Sequence, residues 1–505
     1  AERFPEAEQQ AAFARSLFEL LYPELADSGY LPAPRPVEAY SGPYAGDLER
    51  ARSGRAPAAG PEAAAGDFFD LVVPALFLSR AGTPANAGQI PDLTPYYRLL
   101  ERAEARNRAS VLPPYLQGRI DELEGRLEQA ASRYEDSVER AATFYPGRQR
   151  LAALLLRAGQ AGQAVALLEQ NAELLPQALS IRYDLAEAYY RSGREEAAAE
   201  EAARILIQRP DHPQAMLLRS RILAAEGNWI QALRLLNLLL YQHPENEEAY
   251  QLAARLQYEK AKDPEVALEL LEQAEQRFPN EALFPETAGR IYLETGRSAE
   301  GLNKLQRALD LEPGRVSTLR LLLTNAVNMR RWLQSATYLS EILEQEQSEA
   351  DLLQAIEIYG NLGDRDQALH FAEQLYAAGP SVKNLTIYAR ALIEAGQTGT
   401  AAPLVEQGLE RAESPALHST LLALKASLLA EESPEEALAL LREALLEHPE
   451  NFDALLRIAE LYEEQRELRK ASLYLKQALA LQPHNSSVRV RLRNVEEELG
   501  VLDAP

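Results

Sequence analysis

The sequence has no cysteine, two methionines and two tryptophans. Without cysteine there is no disulfide frame, no thiol nucleophile and no cysteine metal site, and the chain suits an oxidising or a reducing compartment equally. Long apolar runs are missing too. The longest, from Phe68 to Ser79, is broken by Asp70 and Pro74, well short of the roughly 18 to 20 residues that span a bilayer. Cations are outnumbered: 52 Lys and Arg stand against 76 Asp and Glu, for a net charge of −24. Binding a polyphosphate needs clustered Lys and Arg, so nucleic acid is excluded as the expected partner.

What is abundant is helix-forming material. Ala, Leu, Glu, Gln and Arg dominate and Val, Ile and Thr are scarce, which favours helix over sheet after about residue 95. An all-α protein is expected. The first 110 residues differ from the rest. Helical spacing of Phe13, Leu17, Leu20 and Leu21 predicts a helix over 6–22, and a second is predicted over 67–80. Around them lie Pro- and Gly-rich tracts at 32–44 and 52–60, so residues 1–110 read as an irregular N-terminal extension. Its aromatic residues Tyr40, Tyr44, Phe68, Phe69 and Phe77 are costly to leave in water, so they offer another candidate contact for a partner or, as is more common, fold back on the first repeats. The chain starts at Ala1 instead of Met, which is read as removal of a signal peptide or a lipid-anchor leader upstream, or as an expression boundary. A periplasmic or envelope-associated location is favoured over a cytoplasmic one on that ground.

From residue 111 the sequence repeats. One small residue recurs as Ala130, Ala164, Ala198, Ala232, Ala267, Gly301, Ser335, Ala368, Ala401, Ala437 and Ala471, at intervals of 33 to 36 residues. A glycine precedes most of them by five residues, able to take the left-handed conformation that ends a helix. A proline follows most of them by twelve and closes the second helix. Each unit is therefore helix, glycine turn, helix, proline turn. The fifth unit departs with Lys262-Asp263-Pro264 and one extra residue, the seventh has Arg330 and Gln347 in place of Gly and Pro, and the ninth and tenth drift in length, with Pro415 out of phase. After Pro483, Val488, Leu492, Val495 and Leu499 share one face of a helix that would cap the last unit.

This pattern resembles the tetratricopeptide repeat, whose period is 34. The stretch 180–212 carries it well, with Leu185-Ala186, Tyr189, Gly193, Ala198 and Pro210 in the family's order, and 453–483 repeats it with Ile458-Ala459, Tyr462, Ala471 and Pro483. The resemblance covers residues 111–485. It implies a right-handed superhelical solenoid of about eleven hairpins, with residues 486–505 as capping helix and tail. It further implies a scaffold or adaptor that binds proteins, in the manner of repeats found in cell-envelope, secretion and motility assemblies. In the family the ninth repeat position of each first helix faces the concave groove. Here that row includes Arg221, Arg255, Arg290 and Arg390, with Arg157 and Arg191 on a neighbouring row. Arginine forks bind carboxylates in pairs, so an acidic peptide or a C-terminal carboxylate is the expected partner. The bland alternative is that these arginines balance neighbouring glutamates.

No catalytic residues, cofactor or metal are expected. Four of six histidines (His212, His243, His448, His484) adjoin inter-repeat prolines, and His370 and His418 are isolated. Phosphate-binding loops and nucleophile elbows are absent. Residues 1–110 contain neither histidine nor cysteine, which argues against a hidden enzyme there. A module for a small ligand or polysaccharide is the rival reading and would need a ring of inward aromatics; Tyr183 and Tyr190 are scattered candidates. Asn384-Leu-Thr386 and Asn485-Ser-Ser487 match a short glycosylation pattern.

Overall fold

A computed structural model describes residues 92–500, together with 70, 71, 74, 75, 77 and 78. The helix expected over 6–22, and Tyr40, Tyr44, Phe68 and Phe69, lie outside the described residues. The chain divides into two compact units, 1–277 and 278–505. Among the described residues every regular element is a helix.

The first unit opens with α1 (Thr94–Arg106) and continues as five hairpins. These are α2 (Leu112–Leu123) with α3 (Leu127–Arg140), α4 (Tyr145–Arg157) with α5 (Ala161–Leu174), α6 (Leu179–Arg191) with α7 (Glu195–Gln208), α8 (Pro213–Ala225) with α9 (Trp229–Gln242), and α10 (Glu247–Leu256) with α11 (Pro264–Arg277). The second unit has six: α12 (Leu283–Glu294) with α13 (Ser298–Leu311), α14 (Val316–Asn328) with α15 (Trp332–Leu343), α16 (Glu349–Leu362) with α17 (Arg365–Ala378), α18 (Val382–Glu394) with α19 (Thr398–Arg411), α20 (Pro415–Leu429) with α21 (Pro434–Glu447), and α22 (Phe452–Glu464) with α23 (Leu468–Leu481). A last helix, α24 (Ser486–Glu498), buries Val488, Leu492 and Val495 against the eleventh hairpin, as expected of a cap.

The turns follow from backbone chemistry. Gly193, for example, sits at φ 77°. Its N–H donates to Tyr190 O at 3.1 Å and the next N–H, of Arg194, reaches Tyr189 O at 2.9 Å, so two open carbonyls of α6 are satisfied. The recurring small residue stands where paired helices cross: Ala164, Ala198 and Ala232 are fully buried. In the sixth hairpin the backbones themselves come close, because a Cβ on Gly289 would lie 2.7 Å from Leu305 and 3.0 Å from the carbonyl of Gly301. First helices start on side-chain caps where the sequence offers them. Asn246 accepts from Ala249 N–H at 2.9 Å, Asn451 from Ala454 N–H at 3.0 Å, and Ser348 forms a reciprocal capping box with Asp351.

The irregular units have local causes. The extra residue of the fifth hairpin is taken up by a π turn, Gln257–Ala261, ending on Lys262 at φ 59°. Pro415 is out of phase because it opens α20 at a first-turn position, where a missing N–H costs nothing.

The described part of the 70–78 segment closes the start of the first unit. Phe77 stacks on Tyr96 with ring centroids 4.6 Å apart, and Ala75, Phe77 and Leu78 join a core with Leu93, Leu100 and Leu116. Asp70 is fully buried, its two oxygens taken by Arg102 at 2.6 Å and Arg106 at 2.9 Å. Phe77 therefore packs on Tyr96 of the extension itself, in a core that continues to Leu116 of the first hairpin.

Candidate interaction surface

Within each unit, first helices of consecutive hairpins touch: α4 with α6, α6 with α8, α8 with α10, and in the second unit α12 with α14, α18 with α20, α20 with α22. Second helices of consecutive hairpins make marginal contact at most. Where these contacts occur, first helices therefore form the tighter, inner layer, and the side chains they do not bury line its inner face.

In the first unit, Arg157 and Arg191 each end a first helix, α4 and α6, and both are exposed. Arg191 donates to Glu187 on its own helix at 2.7 Å. Half-buried Arg221 on α8 pairs with Glu248 at the start of α10, one hairpin on. Arg255 on α10 is exposed. In the second unit, Arg290 on α12 is half-buried, and Arg390 on α18 pairs with Asp453 on α22 at 2.8 Å. Three of the six arginines thus carry a carboxylate of the chain's own. Sequence spacing could place them on first helices but could not show these partners, which come from positions 4, 27 and 63 residues away.

The same layer holds further polar links between hairpins. Gln149 donates to Asp184 at 2.6 Å. Glu286 accepts from Arg315 Nε, Ser317 Oγ and Thr318 Oγ1, each at 2.6 Å. Burial pushes the Glu286 carboxyl up, but these three donors outweigh it and hold it below the usual carboxylate range. Arg320 reaches both Asp351 at 2.7 Å and Glu346 at 2.6 Å. Arg491 of α24 binds Glu460 and Glu463, each at 2.9 Å.

The aromatics of the rival reading are on one helix, α6. Tyr183 stacks on His212 with centroids 6.2 Å apart, and burial, then Glu187, pushes its hydroxyl up to about 12. An open cleft beside Tyr97 and Ser132 has its main charges already joined, since Asp121 accepts from Tyr97 at 2.7 Å and from Arg126 at 2.9 Å.

Three of the histidines are held in structural contacts. His212 Nδ1 accepts from Ala215 N–H at 3.3 Å and caps α8, and burial followed by Arg209 pushes its pKa down. His243 Nε2 meets Asp211 O at 2.9 Å, and His418 meets Glu447 at 2.7 Å. Among the described residues no group of His, Asp and Glu is arranged to hold a metal ion, and no helix is long and apolar enough to cross a membrane. Asn384 is buried and its amide donates to Gly379 O at 3.0 Å, so it is closed to glycosylation.

No curated protein matches the sequence. Among solved structures, the chain is similar to PilW, a type IV pilus biogenesis factor, at 19% identity and TM-score 0.35, over 40% of this chain and 94% of that one. It is similar to yeast Tom70 at 14% identity and TM-score 0.29, over 77% and 96%. YrrB, a TPR protein with an unusual peptide-binding site, matches at 15% identity and TM-score 0.26, over 44% and 96%. Likenesses this low say nothing about function. The tetratricopeptide repeat family profile matches residues 155–222 and 428–493. With glycine turns, buried small residues and closing prolines recurring along the hairpins between those stretches, the chain is a tetratricopeptide-repeat protein.

Proposed function

We propose that this protein is a non-enzymatic scaffold that holds partner proteins on the inner faces of its repeat units, and that the arginines there receive partner carboxylates. The observation that carries the reading is the state of Arg255 and Arg157. Both are exposed cations in a chain of net charge −24, and neither pairs with a described carboxylate. Arg290 in the second unit is half-buried and likewise pairs with no described carboxylate. Arg221 and Arg390 each hold one carboxylate at a site open to solvent, where an ion pair contributes only about 0.2–1 kcal/mol and an incoming carboxylate can compete, while exposed Arg191 holds the buried Glu187 of its own helix. An acidic segment or a C-terminal carboxylate is the matching partner chemistry.

The reading includes two finer points: residues 1–110 serve as a leading extension to a repeat array over 111–485, and the scaffold works in a cell-envelope, secretion or motility assembly. Fractionation of the native source tests the second.

The direct test is affinity purification from the native source with the chain and with the Arg221→Glu, Arg255→Glu, Arg290→Glu triple variant. One stoichiometric protein partner, lost in a variant that keeps its helical circular dichroism and melting temperature, is the expected result. Unchanged capture by the triple variant sinks the arginine assignment. A monomer carrying sugar or lipid favours a ligand-binding module instead.

A further inference from the structure

Seven hairpins turn on a glycine in the left-handed region, from Gly125 at φ 75° to Gly396 at φ 77°. The seventh hairpin turns on Arg330 at φ 54° with the same bonds: Arg330 N–H to Val327 O at 2.9 Å and Arg331 N–H to Ala326 O at 2.8 Å. A side chain in this conformation costs about 1–2 kcal/mol that glycine avoids. Folding of the turn therefore gives no reason for arginine here. Lys262 and Arg466 occupy equivalent places, but Lys262 adjoins Asp263, and Arg466 is paired with Glu498 at 3.3 Å. Arg330 adjoins Arg331 instead.

The charge at this tip is not neutralised nearby. From Pro313 to Ser340 the chain has no Asp or Glu and four arginines. Two of them are tied up, Arg315 to Glu286 and Glu312, Arg320 to Asp351 and Glu346. Arg330 and Arg331 are exposed, and no described carboxylate pairs with either. Asp364 at the next tip spends its carboxylate on Gln367 N–H at 3.1 Å. Exposed apolar side chains flank the two cations in sequence. Met329 is 48% exposed and Leu333 76%. Leu362, 37% exposed, holds the place in the eighth hairpin that Met329 holds in the seventh.

We propose that the tip of the seventh hairpin is a docking point for an acidic protein segment that carries apolar side chains. Methionine and arginine are enriched at protein interfaces, two adjacent guanidinium groups suit carboxylates, and exposed Met329 and Leu333 beside them, with Leu362 at the next tip, supply apolar surface. An anionic membrane fits less well, because stable attachment draws on about four to eight basic residues and this tip has two, in a chain of net charge −24. This surface is separate from the inner-face arginines and does not depend on them.

A photo-crosslinking amino acid, p-benzoylphenylalanine, replaces Leu333 in the full chain, and irradiation in the native source is followed by sequencing of the attached segment. The expected product is one protein segment rich in Asp and Glu beside apolar residues, with yield falling at least about tenfold when Arg330→Glu and Arg331→Glu are added. A lipid adduct, a segment without carboxylates, no adduct at all, or a yield indifferent to charge reversal each overturns the proposal. Arg330→Gly separates docking from folding: melting temperature is expected to rise while yield falls. A Gly variant that melts lower with its yield intact also overturns it. The Arg221→Glu, Arg255→Glu, Arg290→Glu triple variant is expected to leave this adduct unchanged, so the two surfaces fail or stand independently.

Discussion

Arg390 and Asp453 meet at 2.8 Å although their helices, α18 and α22, are two hairpins apart. Helix α20 contacts both α18 and α22, so the inner layer of the second unit is tight enough for one side chain to reach past an intervening helix. Both partners are about half exposed. Water and salt therefore screen the pair, and a double-mutant cycle with Arg390→Ala and Asp453→Ala is expected to give a coupling below about 1 kcal/mol. A coupling above about 2 kcal/mol would show a brace too strong to yield to a partner's carboxylate.

Glu286 behaves differently because three donors converge on one of its oxygens. Its folded pKa is held below the ordinary 4.5, so its stabilisation is present above pH 4.5 and disappears as pH falls through the lowered value. Glu286→Gln is expected to lower the melting temperature at pH 7 and to flatten its fall between pH 5 and pH 3, read by calorimetry. An unaltered acid limb would rule out this carboxylate as a contributor.

His212 gives the opposite group type with the same sign. Burial and Arg209 depress its pKa below 6.5, so the cap is complete above pH 6.5 and weakens as acid protonates Nδ1. His212→Asn keeps a capping acceptor without a titratable ring. The variant is expected to lose less stability between pH 7.5 and 5.5 than the parent, and equal losses in calorimetry would rule out the His212 cap as a contributor.

Two glycines that look alike in sequence should respond in opposite ways. A Cβ on Gly301 meets Leu293 at 2.9 Å and the carbonyl of Gly289 at 3.0 Å, so Gly301→Ala is expected to destabilise by about 1–3 kcal/mol. At Gly360 on α16 a Cβ meets open space, and Gly360→Ala is expected to stabilise by up to about 1 kcal/mol through backbone entropy. Urea melts of both variants decide the matter, and equal signs would mean that the helix crossing at 289 and 301 is looser than these distances.

Asp70 ties the first unit's opening segment to α1. Arg102 and Arg106 are partly solvated and would not be stranded by its loss, so Asp70→Ala is expected to cost about 1–3 kcal/mol. Hydrogen exchange should quicken first in α1, around Tyr96 and Leu100. Protection unchanged there would assign the closure to Phe77 alone.

The repeat was readable because its chemistry is local. Ala198 must be small where α6 crosses α7, and Gly193 must reach positive φ five residues earlier, so spacing alone reveals both. The arginine row could be placed on first helices for the same reason. What spacing could not show is who answers each charge, since Glu248 reaches Arg221 and Asp453 reaches Arg390 only once hairpins are rotated against each other. Nor does Asp70 announce its partners: a lone carboxylate in an apolar run looks like an interruption until Arg102 and Arg106 close on it.

The π turn at Gln257–Ala261 separates two ways of counting. One surplus residue enters the chain and leaves no shift downstream, because Ala267 still lies buried at its crossing and the small residue of the next hairpin comes 34 residues on. Spelling and stacking are thus independent in this array. A slip of one residue during evolution can be stored in a single widened loop of backbone while every later hairpin keeps its face.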